Sequence, residues 1–304
     1  MSNSIITEKK KPQKFWLYRY QIFVTEPFQP ELNGLPGTRQ IKTSSELKAI
    51  RNEILRELIP ALPNKKDTRN HCYQITQTYE RGTQFLLTAE AQRSKKVMQD
   101  RNPKKVPHQP WAWIAIDTAD DVQTIAIAPV SDMRQETINN VLTSNLQRLL
   151  KKKGLDFVTH SIKREDGFWE YVRENRGMLR EVTFTVSPPN MAGISKTVGQ
   201  QLTELIKSTQ ARQANVSLKA QRGATLELQE GNTRLRNFVD HVDKGGGDYS
   251  FYKKGSTKKD EPRNLQKTFM ATPQPDTQLI EVETTSPATA ILTKIRIECK
   301  LTEE

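Results

Sequence analysis

Phe15-Trp16-Leu17-Tyr18-Arg19-Tyr20-Gln21-Ile22-Phe23-Val24 is the stretch on which the fold turns. Aromatic and β-branched residues fall on both parities of this run, so it predicts a strand buried on both sides rather than one with a wet face. Glu26-Pro27 ends it. The same residues allow a second use, in which Trp16, Tyr18 or Tyr20 stacks on nucleic-acid bases with Arg19 beside them. Upstream, residues 1–14 carry Lys9, Lys10, Lys11 and Lys14 among polar neighbours and read as a flexible basic tail.

Downstream, Thr43 and Glu46 have capping-box spacing, and Leu47, Ile50, Ile54 and Leu58 form one helical face up to Pro60. Segments 71–79 and 83–91 read as a hairpin turning at Arg81-Gly82, and a basic stretch punctuated by proline then runs to Pro110. From Trp111 the character changes to short apolar strands joined by an acidic turn. Asp132 with Gln135 predicts the cap of a helix whose stripe is Ile138, Val141, Leu142, Leu146, Leu149 and Leu150, closed by Lys151-Lys152-Lys153-Gly154. Further segments predict strands over 155–162, 181–186, 216–220, 224–229 and 248–254, a short helix after Asp166, and helices after Ser195 and around Leu235 to Val242. Two last strands are expected over 278–283 and 289–301. The second shows the clearest alternation in the chain, with Ile291, Ile295, Ile297, Cys299 and Leu301 on one face and Lys294, Arg296, Glu298 and Lys300 on the other.

Helices and strands mix without regular βαβ spacing, which points to an α+β fold of mixed, largely antiparallel sheets with packed helices, in two subdomains. The expected division is the tail 1–14, a basic N-terminal α+β region 15–110, and a C-terminal α+β region 111–304 with a mobile polar segment at 253–275. No period of a repeat architecture is present.

Charge separates those regions. Of a net charge of +12, residues 1–110 carry +10, from 20 Lys and Arg against 10 Asp and Glu. A one-ended basic surface attracts polyanions, because neutralised phosphates release condensed counterions. The densest part lies between Arg93 and Pro110, where Arg93, Lys95, Lys96, Arg101, Lys104 and Lys105 face the single Asp100. Lys65, Lys66 and Arg69 form a second small group. These nine residues are the candidate nucleic-acid contacts. Cys72 and Cys299 are too far apart to read as a disulfide framework or a zinc motif, and no apolar leader or 18-residue apolar run occurs. A cytoplasmic protein without a membrane contact is the expectation.

Motifs for chemistry are sparse. Gly245-Gly246-Gly247 could cradle an anion, but it leaves a helix and enters a strand, the order of a tight turn needing positive φ. His71, His108, His160 and His241 stand apart at no metal-ligand spacing, and Ser195 lacks a nucleophile elbow. Asp117, Asp120 and Asp121 read as solvent-facing turn formers. Pro275-Asp276 followed by Glu298-Cys299-Lys300 resembles the PD-(D/E)xK pattern of restriction-type nucleases. That resemblance implies Asp276 and Glu298 holding Mg²⁺ and Lys300, on the same strand face as Glu298, acting on the attacking water. Otherwise neither cofactor nor metal is expected.

In its aromatic first strand and overall make-up the chain also resembles uncharacterised α+β proteins of bacterial phage-defence cassettes, which implies a role in antiviral defence. The function expected is therefore a non-enzymatic nucleic-acid-interacting or complex-assembly protein. Two alternatives stand beside it: the Mg-dependent nuclease, and a structural subunit whose basic face meets an acidic protein partner; besides nucleic acid, the partners allowed for are a protein partner or a homo-oligomer.

Overall fold

Residues 15–24 lie within β1 (Gln13–Val24) in a computed structural model that describes residues 12–25, 43–66, 71–99, 102–130, 132–187, 209, 211, 213–271 and 287–299. Along the chain follow α1 (Ser44–Ala49), α2 (Arg51–Leu58), β2 (Lys65–Lys66), β3 (Cys72–Arg81), β4 (Gln84–Gln99), β5 (Asn102–His108), β6 (Trp111–Asp117) and β7 (Thr124–Ala128). Then come α3 (Gln135–Lys151), β8 (Leu155–Ser161), α4 (Gly167–Glu174), β9 (Leu179–Val186), β10 (Ala214–Lys219), α5 (Thr233–His241), β11 (Gly247–Lys253), β12 (Thr268–Ala271) and α6 (Pro287–Cys299). The class is α+β with antiparallel sheets.

β1 explains its own composition. One parity, Tyr18, Tyr20 and Ile22, packs into a cluster with Leu47, Ile54, Leu55, Ile138, Leu142 and Leu146 of α1, α2 and α3. The other parity, Phe15 and Leu17, enters a second cluster on the opposite face with Trp113, Phe269, Ile291, Leu292 and Ile295. Both faces of the sheet are thus roofed by helices, and burying each large side chain contributes about 1.5–3 kcal/mol. Tyr18, Arg19 and Tyr20 are all buried, so they offer no platform for bases.

The large sheet runs β12-β1-β7-β6-β4-β3-β2, with β8 also paired to β1 and β5 to β4. The change of charge near residue 110 falls inside this sheet, because β4 pairs with β6 from Gln84↔Asp117 to Glu90↔Trp111. A three-stranded sheet, β10-β9-β11, packs with α4 and α5 around Phe168, Phe184, Val239 and Phe251.

Local signals account for several boundaries. The Thr43 side chain accepts from the Glu46 amide at 3.2 Å, and Gly82 at φ 60° turns the β3–β4 hairpin. Gly154 at φ 72° follows the end of α3, and Gly177 at φ 75° follows α4. Gly245 at φ 83° sits in the π turn 242–246 between α5 and β11, where a Cβ would stand 2.5 Å from the Arg19 Cβ. The three glycines therefore make the helix-to-strand turn, and Gly245 lies against the buried Arg19.

Other expectations are corrected. Gln13 and Lys14, assigned to the tail, pair with Ala271 and Met270 at the start of β1. Within 253–275 most residues from 254 to 264 are exposed, with Asp260 bridged to Phe251, while Leu265 and Gln266 are buried and β12 joins the sheet. Residues 224–229 are not a strand. Asp132 does not cap α3, which starts behind Arg134 without a side-chain cap. Asp117 is fully buried rather than solvent-facing, accepting from Thr83, Gln84 and Arg296, the last at 2.7 Å.

The largest correction concerns residues 289–301. Their described part is helical, and Ile291, Leu292, Ile295 and Cys299 are buried while Ile297 is 64% exposed. Positions i, i+1, i+4 and i+8 share a helix face, so most of the apolar set satisfies both periods, and packing on Trp113, Ala115 and Phe269 decides for the helix. Pro287 is its first residue, where a missing N–H costs nothing. The predicted helix after Ser195 and the strand over 278–283 lie outside the described residues.

Candidate nucleic-acid interface

β4 is 16 residues long, and its neighbours in the large sheet accompany only part of it. β6 pairs with it as far as Glu90, and β3 as far as Gln92. From Arg93 to Gln99 its one partner among the described residues is β5, in register from Arg93↔His108 to Gln99↔Asn102. At about 3.3 Å per residue these seven pairs form a two-stranded ribbon roughly 20 Å long that leaves the sheet edge. The basic stretch between Arg93 and Pro110, punctuated by proline, is this ribbon.

Its foot is tied down. The Arg93 guanidinium donates to the Tyr73 hydroxyl at 2.6 Å and to the Asp132 carbonyl, and His108 Nε2 lies 2.8 Å from the Asp132 carboxylate. Asp132 thereby holds both strands where they depart. Beyond the foot nearly every side chain is exposed.

Register sorts those side chains into two faces, since residues directly opposite in an antiparallel pair point the same way. One face carries Ser94/Pro107, Lys96/Lys105 and Met98/Pro103. The other carries Arg93/His108, Lys95/Val106 and Val97/Lys104. No Asp or Glu occurs over 93–99 or 102–108. Among the described residues, Lys95, Lys96, Lys104 and Lys105 make no ion pair.

Pro103 and Pro107 share one parity of β5 and have no N–H. Such positions suit backbone sites that face away from β4, so they interrupt the outer edge of β5 as a template for a further strand. The prolines that argue against a central strand are compatible with this two-edged ribbon.

Of the nine predicted contacts, the structure brings Arg93, Lys95, Lys96, Lys104 and Lys105 onto the ribbon. Lys65 and Lys66 form β2, paired with Tyr73 and Cys72 at the sheet edge beside the foot. Arg69 and Arg101 lie outside the described residues. Of the nuclease set, Asp276 and Lys300 also lie outside them, and Glu298 is on α6, 3.2 Å from Lys267. The shared strand face assumed for Glu298 and Lys300 is lost, because the chain is helical up to Cys299.

A second constellation was invisible in the sequence. His160 on β8 places Nε2 2.8 Å from Ser187 Oγ and Nδ1 2.9 Å from Asp248 Oδ2 on β11. Ser161 donates to the same carboxylate at 3.1 Å, and Lys163 Nζ lies 3.2 Å away. Burial works against the Asp248 charge, yet His160 and Lys163 hold its carboxyl below the usual range. A polar cavity of about 460 Å³ opens onto Asp248, His160, Lys163, Asn139 and Lys259, while Ser187 is fully buried behind His160. From the cavity inward the order is Asp, His, Ser. A hydrolytic nucleophile needs the reverse, with serine facing the substrate. No local signal could have found this set, since His160 and Ser187 are 27 residues apart and His160 and Asp248 are 88 apart.

Comparison with protein-family models, curated proteins and solved structures returned no match. No helix among the described residues is long and apolar enough to cross a membrane.

Proposed function

We propose that the protein binds nucleic acid through the β4–β5 ribbon, in a non-enzymatic recognition or assembly role. The observation that carries this reading is Lys96 standing directly across from Lys105 in an arm without a single acid over its described residues. Like charges directly opposite destabilise a strand pair, and a two-stranded ribbon is marginal in water even without them. A polyanion laid along the ribbon converts that repulsion into attraction and gains the entropy of released counterions. The clamp of Arg93 and His108 on Tyr73 and Asp132 supports the same reading, because it holds the arm outward from the sheet. Antiviral defence, the role implied by the likeness to phage-defence proteins, would use such an arm to sense foreign nucleic acid.

The test is a fluorescence-anisotropy titration with duplex DNA, single-stranded DNA and RNA across 50–200 mM salt. Parent protein is compared with the combined Lys95→Gln, Lys96→Gln, Lys104→Gln, Lys105→Gln variant. Each phosphate contact contributes about 0.9 to the slope of log K against log salt on duplex DNA, so the variant's slope flattens by up to about 3.6. Over that salt range the parent loses up to about 150-fold more affinity than the variant. An unchanged slope removes the ribbon from the contact surface. If no nucleic acid binds while an acidic protein does, the surface belongs to a structural subunit instead.

A further inference from the structure

We infer that the ribbon engages duplex DNA and that Met98 and Pro103 form a wedge which opens a base step and bends the duplex. This rests on the nucleic-acid reading above and adds the kind of nucleic acid and what is done to it.

Met98 is 68% exposed, the most exposed of the large apolar side chains described, and Val97 beside it is 43% exposed. Pro103 is directly opposite Met98 and also exposed. Among the described residues, this apolar pair far out on a cationic arm has no buried packing partner. The same face carries Lys96/Lys105 two residues nearer the foot, about 7 Å away along the strands. A surface that receives the wedge and satisfies these lysines therefore presents anions within that distance on the foot side of the wedge. Phosphates lining a DNA groove satisfy this: the two lysines reach opposing backbones, and the apolar pair meets the bases about two steps further along.

Shape narrows the choice. The minor groove of B-DNA widens around an inserted arm as the duplex bends, whereas the minor groove of A-form RNA is already wide and shallow and lined by 2′-hydroxyls, a polar surface for an apolar pair. Strand addition by a protein partner along β5 is opposed by Pro103 and Pro107. Methionine is flexible and proline is rigid, and both are side-chain types that enter between base pairs from the minor groove, kinking DNA by about 20–90°. The energetic logic is that unstacking is offset by the contacts that bent DNA makes with more of the protein.

The experiment uses the full chain and a 30-base-pair duplex carrying a donor and an acceptor dye at its ends. A second duplex carries 2-aminopurine, whose fluorescence rises when its base step opens. The parent should shorten the end-to-end distance and raise the 2-aminopurine signal at least twofold. The Met98→Ser, Pro103→Ser double variant keeps all the ribbon lysines. It should bind with the parent's salt slope, to within one contact, and abolish both signals. Circular dichroism and the unfolding midpoint check that this exposed substitution leaves the fold intact, and the 2-aminopurine signal of the parent tests the wedge without any variant. If the parent binds duplex DNA with neither signal, or if the variant bends it equally, the wedge is wrong and the binding reading stands. Binding confined to RNA or to single strands overturns this inference alone. Absence of all nucleic-acid binding overturns both.

Discussion

Replacing Ile295 and Ile297 separately by alanine distinguishes the two periods that the C-terminal sequence supports. In α6 Ile295 is fully buried among Ile291, Leu292, Cys299 and the β6 and β12 side chains, whereas Ile297 is 64% exposed. Deleting a buried isoleucine side chain down to Cβ costs about 2–5 kcal/mol, from lost transfer energy and the cavity left behind. An exposed position changes stability by about 0.5 kcal/mol or less. At about 2–4 °C per kcal/mol for chains of about 150–250 residues, Ile295→Ala should lower the thermal midpoint by about 4 °C or more, and Ile297→Ala by about 2 °C at most. A strand would put both residues on the buried face and make the losses equal. Leu292→Ala sharpens the contrast, because Leu292 is buried in the helix and would share a strand face with Lys294 and Arg296. Differential scanning calorimetry of the three variants reads the result. Equal losses at 295 and 297 with none at 292 would refute the helical packing.

Two further outcomes follow from groups around the glycine turn. Burial pushes the Asp243 carboxyl up to about 7 from an ordinary 3.8, and pushes His241 down to about 4 from 6.5. A raised carboxyl favours the folded state at low pH and loses that contribution as pH rises from about 4 to 7; a lowered histidine loses stability as pH falls from about 6.5 to 4. The two slopes oppose each other over most of that interval, so Asp243→Asn should uncover the histidine's. Urea midpoints should show the variant gaining on the parent from pH 4 to pH 7 and no further above it, whereas a gap independent of pH would rule out a raised Asp243. Gly245→Ala and Gly223→Ala separate backbone strain from collision, since both glycines have φ near 84° but only the first is crowded, by Arg19. Gly223→Ala should cost about 1–2 kcal/mol and Gly245→Ala distinctly more, measured by chemical unfolding; equal costs would mean that Arg19 does not press on the turn.

How far the fold could be read from the residues depended on how local each cause was. The two-sided burial of β1 was visible because one parity of 15–24 is apolar or aromatic throughout and the other adds Phe15, Leu17 and Phe23, and the turn and cap signals at Thr43, Gly82 and Gly154 were visible because each acts within one turn. The C-terminal helix was hidden by ambiguity rather than by silence. Ile291, Ile295 and Cys299 fit a strand and a helix equally, and only Leu292 against Ile297 separates them. What decides is the surface waiting on the sheet, including the buried Asp117 that receives Arg296 at 2.7 Å from 179 residues away. Asp117 itself was misread for the same reason, since three carboxylates in a turn look alike until one of them meets a guanidinium.

The candidate site divides in the same way. The cations of the ribbon were legible as a group because Arg93 to Lys105 are neighbours in sequence, yet the pairing that gives them meaning was not. A shift of one residue in the β4–β5 register would set Lys96 against Lys104 or Val106, moving Lys105 or Met98 to a different cross-strand neighbour. Prolines at 103 and 107 masked the strand because they exclude a central position, and a free-standing ribbon has none. Once they are seen as edge residues, their parity places Lys105 between them and Lys96 opposite, so the features that hid the arm also fix how its charge is presented. The arm's outer pairs bury almost nothing, and their stability therefore comes from the clamp at the foot and from whatever neutralises the lysines. A structure held this way is tuned by its counter-charge, which is the physical reason to look for its function in a polyanion rather than in the polar cavity around His160.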